Sequence, residues 1–477
     1  MKIKNGVDMQ KKLSIDQQDA INKIVKWFNY GKPAKQLLTI GGLAGTGKTF
    51  IIPHIIEKIR ASVADPERAI AFVAFTGRAT ENIRSKIKDF GVINKFDATG
   101  TIDSFLAHTL VFEGKIDPKN PEYINRVFIR KTQGKQYSRE DFCLIIIDEA
   151  SMVDWDLYEK ISSHQIPILA IGDHGQLSPI IVSNSKLKGL MDSPDIKLEK
   201  IHRQKEGSSA AIIKMAIEAR ATGKVSYGMI HEHVFKTDDL SLVERFADES
   251  WMWIAAFNKT ATHFNNRIRS KFLGKNQTNI PITGEKLVCL LNTFDGIYNG
   301  QIGIVRKCSE YAGSGTEIDH YFKENTNEFS HIKEGAMKSF DGLAFKSIDE
   351  CSENCLRCKY REKFLEIEID FGDEEHPNIK TVKCFKPQLH QMKVINNLVP
   401  FEMPNFRPSD LGYHLCFGYA ITCHKAQGIE SKNVVVLEEN RTRGWLNSIG
   451  IEYEKWLYTA ITRATEKIII LDIKGGV

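Results

Sequence analysis

No apolar run in the 477 residues approaches the roughly 18 needed to cross a bilayer, which excludes a helical membrane protein. The first twelve residues are polar and basic and lack the apolar stretch of a secretion signal, so they read as a frayed tail. Neither sign of charge is in large excess: 65 Lys and Arg stand against 60 Asp and Glu, a net charge of +5. That balance tolerates a polyanionic partner without demanding one, so a case for nucleic acid must rest on where particular cations fall. Cysteine is scarce, at nine residues, and the number is odd. With no export signal these read as reduced thiols of a cytosolic compartment. Internal repeats and low-complexity tracts are also missing. What is present is an ordinary enzyme composition, 42% hydrophobic and 26% charged. The length suits about three domains.

Through the first 200 residues short apolar or β-branched runs alternate with helical stretches. Residues 36–40 enter a glycine turn, followed by a helix from Lys48. Residues 69–75 lead into Thr76-Gly77-Arg78-Ala79 and another helix. Residues 143–147 end in Asp148-Glu149, and residues 168–171 end in Gly172-Asp173. Strand, polar turn and helix in repetition predict a parallel sheet covered on both faces, with ligands at the carboxyl ends of its strands. Residues 110–139 interrupt that rhythm with β-prone segments 109–116 and 123–131, and predict an inserted hairpin. Strand-rich sequence returns over 281–400 with the turn signals Asp295-Gly296 and Asn299-Gly300, and reads as a small β-barrel. The α/β pattern resumes at 412–420 and closes at 467–472. The expected division is thus 1–109 and 140–200 around the hairpin, then 201–280 and 401–477 around the barrel.

Gly42-Leu43-Ala44-Gly45-Thr46-Gly47-Lys48-Thr49 fits the P-loop pattern and lies between a strand and a helix, as that motif requires. Its glycines let backbone amides turn onto phosphate oxygens beside a helix N-terminus that already favours anions. Lys48 is expected to reach the β- and γ-phosphates, and the Thr49 hydroxyl to hold Mg²⁺. An acid pair after a strand is common surface punctuation. Beside a P-loop, Asp148 is expected in the magnesium shell and Glu149 on the attacking water. Arg203 and Arg463 each end an apolar segment far along the chain. Guanidinium groups brought across a domain cleft would stabilise charge on the transferring phosphoryl group.

Further motifs, in order over nearly the whole length, resemble the superfamily 1 helicases of the RecD/Dda branch, in layout the phage-type Dda group. Leu13-Ser14-Ile15-Asp16-Gln17 is similar to the family's Q motif. Thr76-Gly77-Arg78-Ala79 and Thr101-Ile102 resemble its first DNA-contacting motifs, and Asp148-Glu149-Ala150-Ser151-Met152 and Gly172-Asp173-His174-Gly175-Gln176-Leu177 its central ones. His202-Arg203-Gln204, Asn299-Gly300-Gln301-Ile302-Gly303, Thr422-Cys423-His424-Lys425-Ala426-Gln427-Gly428 and Tyr458-Thr459-Ala460-Ile461-Thr462-Arg463-Ala464 complete the series. The resemblance implies an α/β fold of two RecA-like P-loop domains with parallel sheets. The hairpin in the first would be a strand-separating pin, and the insert in the second a small SH3-like β-barrel. It implies an ATP-dependent DNA helicase moving 5′→3′, with Gln17 reading adenine and Gln176 sensing the γ-phosphate. Its partners would be single-stranded and forked DNA, ATP with Mg²⁺, and replication or single-strand-binding proteins. The setting would be DNA replication or recombination, by a monomer in the cytoplasm of a bacterial-type or phage-infected cell.

Thr76, Arg78, Thr101, Thr422, His424 and Lys425 fall in loops after strands and are the expected DNA contacts. Phe75, Phe105 and Phe128 are candidate base-stacking rings, with core packing the alternative. Phe128 lies among Arg126, Arg130 and Lys131 in one arm of the hairpin. Asn258, Lys259, Asn265 and Arg269 resemble a family pattern in the second domain, with a solvated helix face as the other reading. Asp103 stands where the branch often has histidine. A carboxylate beside a phosphate track is repulsive, so Asp103 is expected to cap the following helix. An RNA helicase of the related branch, and a translocase that displaces proteins without unwinding, stay open as alternatives. Finally, Cys351, Cys355 and Cys358 fall within eight residues. With Cys384 or His390 as a fourth ligand they form a candidate zinc site, beside the readings of an iron–sulfur cluster and of free thiols.

Overall fold

The computed structural model describes residues 13–29, 35–63, 65, 68–106, 108–117, 120–130, 138, 140–179, 189–202, 207–274, 278–291, 293, 297, 299–310, 364–372, 377–390, 392 and 413–474. The first part of the chain forms α1 (Ile15–Asn29), β1 (Leu37–Gly42), α2 (Lys48–Ser62), β2 (Ile70–Ala74), α3 (Gly77–Asp89), β3 (Ala98–Thr101), α4 (Ile102–Phe105), β4 (His108–Asp117), β5 (Asn120–Arg130), β6 (Leu144–Asp148), α5 (Trp155–Ser162), β7 (Ile168–Gly172) and β8 (Ile196–Leu198). Next come α6 (Ser208–Thr222), β9 (Gly228–His231), β10 (Val234–Thr237), α7 (Leu240–Phe246), β11 (Met252–Ala255), α8 (Asn258–Leu273), β12 (Lys286–Cys289), β13 (Ile302–Glu310), β14 (Phe364–Asp370) and β15 (Ile379–Phe385). The chain closes with β16 (Leu415–Phe417), β17 (Ala420–Thr422), β18 (Ser431–Glu439), α9 (Thr442–Ser448), α10 (Tyr453–Ile461) and β19 (Ala464–Ile473). Two compact units result, one of residues 1–109, 129–256 and 422–476, the other of 110–128 and 257–421.

The first unit contains two parallel sheets. One runs in the order β3-β2-β6-β7-β1-β8, with every neighbouring pair parallel. Strands β2 and β7, and β6 up to Asp148, are buried and apolar throughout because alternate residues feed two different cores. Ile70, Phe72, Leu144, Ile146, Leu169 and Ile171 pack with α1, α2 and α3 on one face. Ala71, Val73, Ile145, Ile147, Ile168 and Ala170 pack with Ile102, Phe105 and Ile161 on the other. Truncating a fully buried ring such as Phe72 to alanine would cost about 3–5 kcal/mol. In the second sheet β11, β18, β19 and β10 run parallel in that order, and β9 adds antiparallel to β10. The two α/β layers expected from the sequence are both present, as is the hairpin: β4 and β5 form a two-stranded sheet.

The second unit is built on an antiparallel sheet of order β15-β14-β13-β12-β16. A lone bridge between Cys384 of β15 and Tyr413, just before β16, joins its two ends. Helix α8 shows where the sequence misled. Asn265 and Arg269 are buried and turned into the unit, neither DNA-facing nor solvated. The Asn265 carboxamide donates to the Ala420 carbonyl at 2.9 Å and accepts the Ala420 N–H at 2.6 Å. Arg269 pairs with buried Glu285 at 2.7 Å, donates to the Ile280 carbonyl at 2.6 Å and also to the Thr278 carbonyl, and lies over the Phe417 ring. Of these four residues only Asn258 and Lys259, at the start of the helix, are exposed.

Candidate active site

The loop after β1 carries the phosphate-binding sequence into α2. Gly45 and Gly47 adopt φ of 82° and 79°, the left-handed region that a side chain resists. At Gly47 a Cβ would also meet Gln17 Nε2 at 2.5 Å. Gln17 is buried: its Nε2 donates to the Thr46 carbonyl at 3.1 Å and its Oε1 accepts the Ser14 N–H at 3.1 Å. The glutamine whose family role is adenine recognition thus braces the loop here. Thr46 Oγ1 donates to the Leu43 carbonyl at 2.9 Å and tightens the turn. Lys48 Nζ donates to the carbonyls of Gly42 at 2.7 Å and Leu43 at 3.1 Å, and lies 3.6 Å from Asp173 Oδ2. Thr49 is half-buried in the first turn of α2.

At the carboxyl end of β6, Asp148 is buried and Glu149 half-buried. Glu149 holds φ 51° and ψ 41°, a left-handed conformation that costs a non-glycine residue about 1–2 kcal/mol. That strain turns the carboxylate out of the strand line. Both acids have pKa values raised from the ordinary carboxylate value, chiefly by burial and, for Glu149, next by the Asp148 charge. Lys86 and Lys48 pull Asp148 down, and Arg463 and Lys48 pull Glu149 down. Asp148, Glu149 and Asp173 thus stand among three cations, Lys48, Lys86 and Arg463. The hard oxygen donors of Asp148 and Thr49 would suit Mg²⁺. Gln176 is buried with its Oε1 unpartnered.

The second sheet's layer supplies the other side of this site. Arg463 follows α10 and is buried, its Nε donating to the Thr459 carbonyl at 3.0 Å and one NH₂ group to Thr462 Oγ1 at 3.1 Å. Its charge reaches Glu149. Arg203 lies outside the described residues, but the N–H of His202 beside it donates to the Gly45 carbonyl at 2.8 Å. Sequence reasoning placed Tyr458 and Thr459 in a family motif without giving them a role, and missed Lys455 on the same helix. Tyr458 hydrogen-bonds Ala44 and Asp173, the Thr459 hydroxyl accepts the Leu177 N–H at 2.9 Å, and Lys455 pairs with Asp192 at 2.8 Å. Their spacing of i, i+3 and i+4 on one helix face was the available signal.

The expected DNA contacts fare unevenly. Thr76 Oγ1 accepts the Ala79 N–H at 3.2 Å and caps α3, beside exposed Phe75. Arg78 opens α3, Lys425 is half-buried and Thr422 is buried. A Cβ on Gly428 would come within 3.6 Å of Thr76 Oγ1, so the two motifs adjoin. His424 has an unpartnered buried Nε2, and burial, with Lys425 next, lowers its pKa to about 4. It is therefore neutral at physiological pH and offers a phosphate only a hydrogen bond. Phe105 packs against Phe142 and His164 at ring separations of 6.0 and 5.4 Å, so it is core. Asp103 does not cap α4; Thr101 does, accepting the Ser104 N–H at 3.1 Å. The backbone of Phe128 lies in β5.

Cys351, Cys355 and Cys358 lie outside the described residues. Cys384, offered as their partner, is wholly buried in the apolar core of the second unit, its thiol pushed up to about 12 by burial. A thiol so disposed resists the deprotonation that zinc ligation needs. His390 stands against the Phe417 ring. Among the described residues no group of three or more His, Cys, Asp or Glu is placed to hold a metal, and no helix is long and apolar enough to cross a membrane.

A P-loop, an acid pair at the end of β6 and an arginine from the second sheet's layer adjoin here, the residue set of a P-loop ATPase. Residues 29–181 match an AAA domain family, and residues 417–471 match the UvrD-like helicase C-terminal domain. The RecD subunit of the RecBCD enzyme of Buchnera aphidicola subsp. Schizaphis graminum is 24% identical, over 97% of this chain and 76% of that protein. The uncharacterised protein R530 of Acanthamoeba polyphaga mimivirus is 21% identical over 95% of this chain and 98% of that one. The ATP-dependent DNA helicase PIF1 of Emericella nidulans is 30% identical over 30% of this chain and 18% of its own length. The chain is thus similar to superfamily 1 helicases of the RecD/Pif1/Dda type, and these matches support an ATP-dependent helicase.

Proposed function

We propose that this helicase works on DNA, moving 5′→3′ along a single strand and splitting the duplex ahead of it. The observation that carries the reading is that the P-loop of one sheet and Arg463 of the other flank the same acid pair, Asp148 and Glu149. Relatives named as a DNA helicase and as RecD support DNA as the substrate. Lys48 leaves its carbonyl partners for the β- and γ-phosphates, and amides of residues 42–49 wrap the phosphate chain. Thr49 and Asp148 would hold Mg²⁺, which would neutralise phosphate charge. Glu149, made more basic by burial, takes the proton of the attacking water, while Gln176 contacts the γ-phosphate. Arg463, joined by Arg203, meets the charge that develops on the γ-phosphoryl group. Gln17 keeps the loop in shape and reads the base.

Because both lobes touch one nucleotide, hydrolysis changes their separation, and that two-state cleft becomes movement when each lobe grips the strand. Thr76, Arg78, Thr101, Thr422, His424 and Lys425 supply the grip, Phe75 a stacking surface and Phe128 the wedge. The protein would act as a cytoplasmic monomer at replication or recombination forks. Strand displacement on forked DNA with a 5′ or a 3′ tail tests the proposal. Unwinding of the 5′-tailed fork alone, abolished by Lys48→Ala, is the expected result. Preference for the 3′ tail overturns the direction, and ATPase without unwinding on either leaves a translocase. Stimulation by RNA and not DNA replaces the substrate.

A further inference from the structure

Tyr458 is buried on α10, and its hydroxyl makes two bonds into the other sheet's layer. It accepts the N–H of Ala44, inside the P-loop, at 2.7 Å, and donates to Asp173 Oδ2 at 2.8 Å. The same carboxylate oxygen lies 3.6 Å from Lys48 Nζ, and the other accepts the Gly175 N–H at 2.9 Å. One carboxylate is therefore shared between the phosphate-binding lysine and a tyrosine of the second lobe. Burial, with the Asp173 charge next, drives the phenol pKa well above its usual range, so it stays a donor. Along the same helix Thr459 holds the Leu177 N–H, and Lys455 holds Asp192 and, at 3.1 Å, Ser178. The Thr459 carbonyl in turn holds Arg463 Nε at 3.0 Å.

We propose that Tyr458 is a positioning residue that links the state of the P-loop to the placement of Arg463. The link rests on the ATPase reading above. When phosphate draws Lys48 away, Asp173 loses its nearest cation and holds the Tyr458 hydroxyl more strongly, a charge-assisted bond in a buried site. That draws α10 toward the loop and sets Arg463 against the reacting phosphoryl group. When phosphate leaves, Lys48 returns to Asp173, the tyrosine bond weakens, and the helix is released. The P-loop thus acts on the second lobe through two side chains.

Tyr458→Phe removes only the hydroxyl and keeps the ring, and it is read in DNA-stimulated ATPase assays beside wild type. The kcat should fall about tenfold or more, the scale of one hydrogen bond to a charged acceptor, with KM for ATP within about threefold. The ratio of DNA-stimulated to DNA-free kcat should fall too, a change that a loosened fold would not single out. Asp173→Asn supplies the second arm: the double variant should be no slower than the slower single, because both act through one bond. Unchanged kcat and stimulation ratio in Tyr458→Phe, or losses that multiply in the double variant, overturn the proposal. If wild type hydrolyses no ATP with DNA, the motor reading falls and the link falls with it. If wild type does and Tyr458→Phe matches it, the link alone is lost.

Discussion

Glu149→Gln should abolish turnover and at the same time stabilise the nucleotide-free protein. Its carboxylate sits in a site with Asp148 and Asp173, with a pKa raised above its ordinary 4.5 by burial first and Asp148 second. A carboxyl whose folded pKa is raised binds its proton more tightly folded than unfolded. Its contribution is fully present below the unfolded value and is lost as pH rises through the folded one. Above its folded pKa the ionised Glu149 therefore costs stability, and a neutral amide of the same shape removes that cost. An uncompensated buried polar or charged group costs about 1–3 kcal/mol, and half-burial of Glu149 argues for the lower part of that range. For a unit of this size that is a rise of roughly 2–6 °C in the unfolding midpoint. Differential scanning calorimetry at pH 8 and at pH 5 measures it. The variant's advantage should be largest at pH 8 and shrink toward pH 5, as wild-type Glu149 takes up its proton. Mg²⁺ with ADP should also shrink it, because the cation offsets the same repulsion. A variant no more stable than wild type at pH 8, or one whose advantage grows toward pH 5, would refute the reasoning.

Three other outcomes are expected. Arg463→Ala should lower kcat by about 10³-fold with little change in nucleotide affinity, read by single-turnover hydrolysis and fluorescent-nucleotide titration. Phe128→Ala should slow strand displacement while DNA-stimulated ATPase persists; equal losses would indicate damage to the hairpin's fold instead. Arg269→Met should destabilise the second unit by about 3–5 kcal/mol, because Glu285 is left buried without its cation, and denaturant unfolding would show it.

The features legible in the sequence were those whose physics is local. The P-loop, Asp148-Glu149 and the strand-turn-helix rhythm each declare themselves within about ten residues, and all stand where expected. The features missed depend on partners far along the chain. Tyr458 meets Ala44 and Asp173, 414 and 285 residues away, and its motif and helix spacing mark a shared face without naming either partner. Asn265 and Arg269 were misread because polarity was taken for exposure. Yet they fall at four-residue steps between Ala261 and Leu273, both buried, which marks an inward stripe. Asp103 was misplaced by one turn position: Thr101, at the last residue of β3, has the extended backbone and free hydroxyl that a helix cap requires.

The interleaving of the second sheet has a consequence for how the chain is made. Met252 of β11 pairs with Val434 of β18, and Val234 of β10 with Ile468 of β19, so partners are synthesised about 180 and 230 residues apart. At a ribosome speed of roughly 5–20 residues per second, β10 and β11 wait on the order of 10–45 s for their central neighbours. During that interval the first sheet is already complete, while Trp253 and Ile254 of β11 have no neighbouring strand and Phe235 of β10 has only β9 beside it. A nascent chain stalled before residue 431 would carry one finished lobe and one set of uncovered strands, and chaperones that hold extended apolar segments would find their target there.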